Sequence, residues 1–232
     1  MFYYYGIDWT YIILVLPAVI FALITQSKVT STFKKYSSVN TRSRMTGYDS
    51  ARMILDSNGL YDVKIERIAG DLTDHYDPRA KVIRLSNSTY SATSAAAVGV
   101  AAHEAGHAVQ HAVGYTPIKI RSAIIPITNI GSMLTFPLIL IGFFLSFQPF
   151  VTLGIIAFSL STVFQLVTLP VEFNASRRAM TAMRDSGKMG EEELSASKKV
   201  LSAAAMTYVA ALAVSLMQLI RLILIFGRDS RR

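Results

Sequence analysis

Long apolar windows constrain the fold of this chain more than any other feature of its sequence. Windows 122–145 and 150–171 contain no charged residue, and window 7–25 contains only Asp8. Each window is long enough to cross about 30 Å of hydrocarbon, which takes about 20 helical residues. The three windows therefore predict three transmembrane helices.

A fourth apolar window, 200–226, is interrupted only by Arg221. It is rich in alanine, which inserts less readily than leucine, so an interfacial or bundle-packing helix is the alternative to a full crossing. The composition supports a membrane fold, because 52% of the residues are hydrophobic and only 16% are charged, against about 25% charged in soluble domains. We expect a mainly α, polytopic helical membrane protein with three or four transmembrane helices.

The basic residues predict the orientation of these helices. No lysine or arginine precedes the first window, so we expect a retained membrane helix there and not a cleaved signal peptide. Basic residues follow the first window, precede the second and follow the third, which places 26–121 on the cytoplasmic side. Arg228, Arg231 and Arg232 conflict with a full fourth crossing. The flanking positions suit anionic lipid headgroups, and we expect the lipid bilayer, not nucleic acid, as a partner.

The segment 26–121 is the only sizeable polar region. A helix is predicted over 49–57, with Asp49 or Ser50 as its N-cap and Gly59 just past its end. Further along, the pattern of apolar residues predicts two strands and one long alanine-rich helix, at 63–68, 81–85 and 92–113.

The predicted long helix carries the motif His-Glu-x-x-His at residues 103–107. Residues four apart share a helix face, so His103 and His107 can both bind one Zn²⁺ ion. Glu104 is offset by one position, from which it reaches a water molecule at the metal and acts as general base. The alternative is a pair of surface histidines on an amphipathic helix.

A catalytic zinc takes three protein ligands and keeps one position open. The chain has no cysteine, and His111 lies one helical turn too far along for the same ion. We therefore expect a carboxylate as the third ligand. Glu172 stands at the end of the third window, where a charge is costly without a partner, and the predicted hairpin 122–171 returns it to the side of His103. The alternative is an acid in the first turn of a new helix after Pro170.

Three separated stretches carry a family resemblance: Leu72–Arg79, Ala101–Gln110 and Phe164–Ser176. They resemble the YugP-like neutral zinc metallopeptidases, a family of bacterial membrane proteins. The resemblance implies a membrane-embedded zinc peptidase with a small α+β, zincin-like domain in the bacterial cytoplasmic membrane. Around Glu172 the chain is also similar to the Glu-x-x-Ala-Asp third-ligand motif of membrane gluzincins, with Ser176 where those proteins usually have aspartate.

The same resemblance marks His75 as the predicted donor that stabilises the oxyanion during catalysis. We expect His75 in a loop before the strand 81–85, and we expect that strand to pair with an extended peptide substrate. The alternative is an ordinary loop histidine. Three other side chains are candidate donors, namely Tyr76, Tyr90 and Arg177.

These assignments predict a membrane-embedded zinc metalloendopeptidase that acts on peptide or protein substrates, with its active site on the cytoplasmic side. The alternative is a non-catalytic zinc-binding membrane scaffold or adaptor. The predicted organisation is a first transmembrane helix, a metallopeptidase region, a transmembrane hairpin, a third-ligand helix with its connection, and a fourth helix with a basic tail, over 1–25, 26–121, 122–171, 172–199 and 200–232.

Overall fold

The computed structural model describes residues 8–226, so Ile7 and the predicted basic tail from residue 227 onward lie outside the described residues. The chain is mainly α-helical with one small sheet, as predicted. It divides into two compact units. Within the described residues, the first contains 8–25, 120–169 and 207–226, and the second contains 26–119 and 170–206.

The elements are numbered here in chain order. The helices are α1 Leu16–Tyr36, α2 Gly47–Ser57, α3 Asn87–Tyr90, α4 Ala95–Ala112, α5 Thr116–Phe144, α6 Gln148–Asp185 and α7 Glu191–Phe226. The strands are β1 Lys64–Ile68, β2 His75–Asp77 and β3 Val82–Ser86. A π-helical segment, Tyr11–Val15, leads directly into α1.

Four of these helices, within the described residues, are long and apolar enough to cross a membrane: α1 with its π-helical start, α5, α6 and α7. The prediction of three or four transmembrane helices is therefore confirmed at the level of length and composition. The fourth window belongs to one uninterrupted helix of 36 residues, so its alanine-rich stretches do not break it.

The two charges inside the apolar windows pair with each other in the first unit. Arg221 donates from Nε to Oδ2 of Asp8 over 3.0 Å and makes a second bond to the same oxygen from Nη2. Gln148 Nε2 donates to the carbonyl of Phe226 over 2.9 Å. The start of the first span, the start of α6 and the end of α7 thus lie at one end of this unit. A charge pair of this kind lowers the cost of each charge in an apolar environment.

The hairpin of α5 and α6 packs closely through small residues. A Cβ atom on Gly154 would lie 2.6 Å from Cγ1 of Ile139, and one on Gly131 would lie 2.9 Å from the carbonyl oxygen of Ala157. Neither position therefore has room for a side chain. Small residues at such contacts are the usual means by which transmembrane helices approach each other.

The second unit contains the sheet, whose strand order is β1-β3-β2. β1 pairs in parallel with β3, and β2 pairs with β3 in antiparallel fashion. The predicted strands 63–68 and 81–85 correspond to β1 and β3, whereas β2 was expected to be a loop. Because β3 is the central strand with neighbours on both sides, the expectation that it pairs with substrate is wrong.

The core of the second unit packs α2 and α4 with the sheet and with the last turns of α6. Ile54, Leu85, Val98 and Met183 are among its buried side chains. Burial of this apolar surface is the main stabilising contribution to such a unit.

Thr46, and neither Asp49 nor Ser50, is the N-cap of α2. Its side chain accepts a bond from the amide of Asp49, whose carboxylate accepts one from the Thr46 amide in return. This reciprocal capping box leaves Ser50 free to donate to the carbonyl of Val98. Gly59 follows the helix end with φ of 72°, as predicted.

Two further boundaries bear on the site. Ser94 caps α4 through a bond from the amide of Ala97, so the helix begins three residues later than the predicted 92. α6 continues through Pro170 to Asp185 without a break. The alternative that Glu172 lies in the first turn of a new helix is therefore wrong.

Candidate metal centre

A close contact between α4 and α6 builds the site. A Cβ atom on Gly106 would lie 2.7 Å from the carbonyl oxygen of Ala175, which is too close for any side chain. Glycine at this position lets the two helix backbones approach each other. The contact brings the face of α4 that carries His103 and His107 against the face of α6 that carries Glu172.

The three side chains predicted as metal ligands lie together. Glu172 Oε2 is 3.3 Å from Nε2 of His103 and 3.5 Å from Nε2 of His107. The two imidazole rings stand edge to face, with centroids 4.7 Å apart. The Glu172 side chain is only 3% exposed, and those of His103 and His107 are 16% and 11% exposed. The site is thus a nearly buried cluster with two nitrogen ligands and one oxygen ligand.

These distances fit a zinc ion. Ligand atoms about 2.1 Å from a tetrahedral zinc lie about 3.4 Å from one another. The observed separations of 3.3 and 3.5 Å match that edge, and one potential ligand atom from each of the three residues lies within 4.8 Å of the other two. Within residues 8–226, no fourth His, Cys, Asp or Glu belongs to the group. The donor set therefore suits a zinc site with one open position.

Gln110 holds His107 and joins the two helices. The amide oxygen of Gln110 lies 3.0 Å from Nδ1 of His107, so the imidazole donates there and its Nε2 lone pair faces the cluster. The amide nitrogen of Gln110 donates to the Val171 carbonyl and to Oδ1 of Asn174. Gln110 was not predicted, although its position three residues after His107 on the same helix face was a signal for it.

Ser176 performs the same task for His103. Its hydroxyl lies 3.1 Å from Nδ1 of His103. The position where membrane gluzincins usually have aspartate thus keeps a polar partner for the ring, as a hydroxyl and without the negative charge. A partner at Nδ1 fixes the orientation of the ring and leaves Nε2 for the ion.

Glu104 lies on the same helix and is 9% exposed. Burial lowers the pKa of His107, but the bond that its protonated ring donates to Glu172 and the negative charges of Glu104 and Glu172 outweigh burial and raise that pKa. The metal-free cluster therefore attracts a positive charge. The negative charge of Glu104 contributes to this effect, although Glu104 does not belong to the group of three ligands. Its position agrees with a role other than ligation.

His75 lies apart from the group of three ligands. It is the first residue of β2 and is exposed, whereas the next residue, Tyr76, packs against the core and its ring contacts that of His111. Nδ1 of His75 donates to the Thr73 carbonyl over 2.8 Å, and its Nε2 lies 3.4 Å from Nη1 of Arg84. Its role in catalysis stays a prediction.

The comparisons with known proteins agree with the chemistry of the cluster. Residues 11–227 match the protein family described as "Putative neutral zinc metallopeptidase". The chain is 48% identical over 221 residues to the "Putative membrane protease YugP" of Bacillus subtilis (strain 168). The aligned residues cover 94% of this chain and 98% of that protein. No solved structure matches the chain.

Proposed function

The chain belongs to the neutral zinc metallopeptidase family, and from that premise we propose that it is a membrane-embedded zinc-dependent metalloendopeptidase. The observation that carries the proposal is the cluster of His103, His107 and Glu172, whose ligand atoms are spaced for one zinc ion. Four helices within the described residues are long and apolar enough to cross a membrane, which supports the membrane location.

An open coordination position at the proposed zinc site favours an enzyme over a scaffold. Structural zinc sites use four protein ligands, whereas catalytic sites use three and leave the fourth position to water or substrate. Only three ligands meet here among the described residues. Glu104 directly follows the ligand His103 in the sequence, and a purely structural zinc has no use for a general base.

Zinc bound at this site supplies Lewis acidity and lowers the pKa of a water molecule towards about 7. Glu104 takes up the proton that the attacking water loses and delivers it to the departing amine of the peptide. Gln110 and Ser176 hold the two imidazole rings in one orientation, so the ligand nitrogens need no rearrangement. Burial of Glu172 keeps competing water away from its carboxylate.

We further propose that His75 stabilises the oxyanion, as the family resemblance implies. In this role the Nδ1–H of the His75 ring exchanges its bond to the Thr73 carbonyl for a bond to substrate. The exposed position of His75 at the start of β2 permits such an exchange.

We also propose that the site faces the cytoplasm. Support comes from the basic residues that follow the first apolar window, precede the second and follow the third. Substrates would then be peptide segments exposed on that side of the membrane.

The function is tested with the full chain purified in a neutral detergent. The protein is expected to cleave an unstructured polypeptide such as casein, to lose cleavage when a chelator removes the metal, and to recover it when zinc is restored. A protein that retains one zinc per chain but cleaves no polypeptide would instead support the scaffold alternative.

A further inference from the structure

The Gln110 amide, which holds the His107 ring, is itself held by α6. Its nitrogen donates to the Val171 carbonyl over 2.8 Å and to Oδ1 of Asn174 over 3.0 Å. Gln110 is 0% exposed, and these two bonds use both hydrogens of the amide nitrogen, while the amide oxygen accepts from Nδ1 of His107. Both polar atoms of this buried amide therefore have partners.

Asn174 is fixed in turn by Arg178, one helical turn further along α6. Nε of Arg178 donates over 2.9 Å to Oδ1 of Asn174, the same oxygen that accepts from Gln110. Val171, Asn174 and Arg178 follow one another at spacings of three and four residues, so they lie along one face of α6. A continuous series of hydrogen bonds, which we call the Gln110 relay, thus runs from Arg178 through Asn174 and Gln110 to His107.

The groups that hold the relay from α6 can each act in only one way. A guanidinium donates and never accepts, and a backbone carbonyl accepts and never donates. Arg178 therefore requires the oxygen of Asn174 to face it, and that oxygen requires the nitrogen of Gln110. The Val171 carbonyl independently requires the same nitrogen. Only one orientation of the Gln110 amide satisfies both, and in that orientation its oxygen faces His107.

The orientation of Gln110 decides which nitrogen of His107 carries the proton in the zinc-binding form. An oxygen beside Nδ1 requires a hydrogen on that atom, which leaves the lone pair on Nε2. Nε2 is the atom that lies 3.5 Å from Oε2 of Glu172, inside the group of three ligands. A reversed amide would place its NH₂ group against Nδ1 and favour the tautomer whose Nε2 carries a hydrogen and cannot bind zinc.

The partner of His103 imposes no such direction. Nδ1 of His103 lies 3.1 Å from the hydroxyl of Ser176, and a hydroxyl rotates to donate or to accept. The two imidazoles of the cluster thus differ, because the relay selects one tautomer of His107 whereas Ser176 adapts to either tautomer of His103. His103 is therefore an internal reference for any measurement on His107.

From these one-way bonds, we infer that Arg178 and Asn174 are positioning residues of the zinc site, which act through Gln110 to hold His107 in the tautomer that binds zinc through Nε2. The inference rests on the zinc site of the proposed function and not on peptide cleavage. Neither residue belongs to the group of three ligands. Their effect on zinc is transmitted by the hydrogen bonds of the relay.

Two substitutions of Asn174 separate hydrogen bonding from packing. Asn174→Leu removes the acceptor at similar size, whereas Asn174→Asp keeps an oxygen for both Gln110 and Arg178. Competition with a fluorescent chelator, on the full chain in neutral detergent, gives the zinc affinity. We expect a fall of about tenfold in Asn174→Leu. Asn174→Asp should stay within about twofold of wild type at high salt, which screens the added charge. A packing role would give the opposite order, because burying a carboxylate costs more than burying leucine.

Substitutions of Arg178 test the outer end of the relay. Arg178→Met is expected to lower zinc affinity about three- to fivefold, less than Asn174→Leu, because the Val171 carbonyl still holds Gln110. Arg178→Lys retains a donor and is expected to recover part of that loss. The matched control is Arg184→Met, which makes the same change of charge at an exposed position in the last turn of the same helix. Arg184→Met should bind zinc as wild type does.

Nitrogen-15 NMR of histidine-labelled, zinc-loaded protein separates positioning of one ring from a general loosening of the helix contact. The chain has four histidines, so single substitutions assign the ring signals. We expect the Nδ1 proton of His107 to exchange with water faster in Asn174→Leu and Arg178→Met than in wild type, and that of His103 to be unchanged. Equal acceleration at both rings would mean that the contact between α4 and α6 has loosened, and would overturn the inference.

Failure of the relay and failure of the proposed function give different results. Wild-type zinc affinity in Asn174→Leu, or an equal loss in Asn174→Leu and Asn174→Asp, would overturn the relay and leave the zinc site in place. A wild-type protein that binds no zinc would reject the metal centre and the relay together. Zinc binding without polypeptide cleavage would reject the peptidase alone, because zinc affinity and ring-proton exchange test the relay without any cleavage.

Discussion

Glu172 Oε2 lies 3.3 Å from Nε2 of His103, although the two residues are 69 positions apart in the sequence. The carboxylate comes from the helix that contains the third apolar window, and the imidazole comes from α4. Burying a carboxylate costs free energy unless a cation or hydrogen-bond donors compensate its charge. The imidazoles of His103 and His107 both lie within reach of this carboxylate, so the contact joins two of the three residues that could hold a metal ion.

Replacing the third ligand is expected to remove the metal. Glu172→Gln keeps the size of the side chain but removes its charge, and an amide is a much poorer zinc ligand than a carboxylate. We expect less than one tenth of the wild-type zinc after dialysis, measured by elemental analysis of the purified protein. Glu192→Gln, which changes an exposed acid in the first turn of α7, is the matched control and should keep its zinc. Wild-type zinc content in Glu172→Gln would contradict the ligand assignment.

Gln110 is expected to act on the metal through His107. Gln110→Leu removes the acceptor at Nδ1 of His107 and the bonds to α6. We expect zinc affinity to fall about 10- to 100-fold and the free energy of unfolding to fall by about 1–3 kcal/mol. Competition with a fluorescent chelator measures the affinity.

Gln110→Glu serves as the comparison, because it retains an oxygen acceptor for the His107 ring. It is expected to recover part of the zinc affinity that Gln110→Leu loses. Unchanged affinity in Gln110→Leu would show that the bond does not position the ligand.

The helix contact at Gly106 is expected to tolerate no side chain. Gly106→Ala places a methyl group 2.7 Å from the Ala175 carbonyl oxygen, so α4 and α6 must separate. We expect a loss of about 1–3 kcal/mol in unfolding free energy and weaker zinc binding, because His103 and Glu172 move apart. Gly190→Ala is the control, since a Cβ there meets no atom within 4 Å. Thermal unfolding with and without zinc compares the two variants, and equal behaviour would disprove the packing explanation.

His75→Ala separates the proposed oxyanion donor from an ordinary strand histidine. Loss of one oxyanion donor costs about 10²–10³ in kcat, whereas zinc content should stay the same because His75 is outside the ligand group. Steady-state cleavage of a peptide together with metal analysis gives both values. A kcat within twofold of wild type would assign His75 a structural role through Thr73 and Arg84.

The sequence predicted the metal-binding side chains best, because their residue types and spacing have few other physical explanations. The pair His103 and His107 requires only helical periodicity, and Glu172 was found because a charge beside an apolar window needs a partner. The spacing of Gln110 from His107 indicates a contact within the helix, but nothing in the sequence indicates its bonds to Val171 and Asn174 across the helix interface.

Two other predictions differ from the structure, namely the N-cap of α2 and the loop expected where β2 lies. Thr46, Asp49 and Ser50 are all good N-caps, and only the reciprocal bond between Thr46 and Asp49 decides among them. β2 has three residues, one of which is the aspartate of a turn signal, so no alternating pattern could develop. The strand exists because β3 offers it an edge, which is a tertiary effect.

The most direct measurement is peptide cleavage by Glu104→Gln protein whose zinc content has been determined on the same sample. Glu104 lies next to a ligand but outside the ligand group, so the substitution should leave one zinc per chain. A glutamine cannot accept the proton of the attacking water, so cleavage should fall by about 10²- to 10⁴-fold. Full zinc occupancy without measurable cleavage is the predicted result. Wild-type turnover by the zinc-loaded variant would contradict the proposed catalytic site.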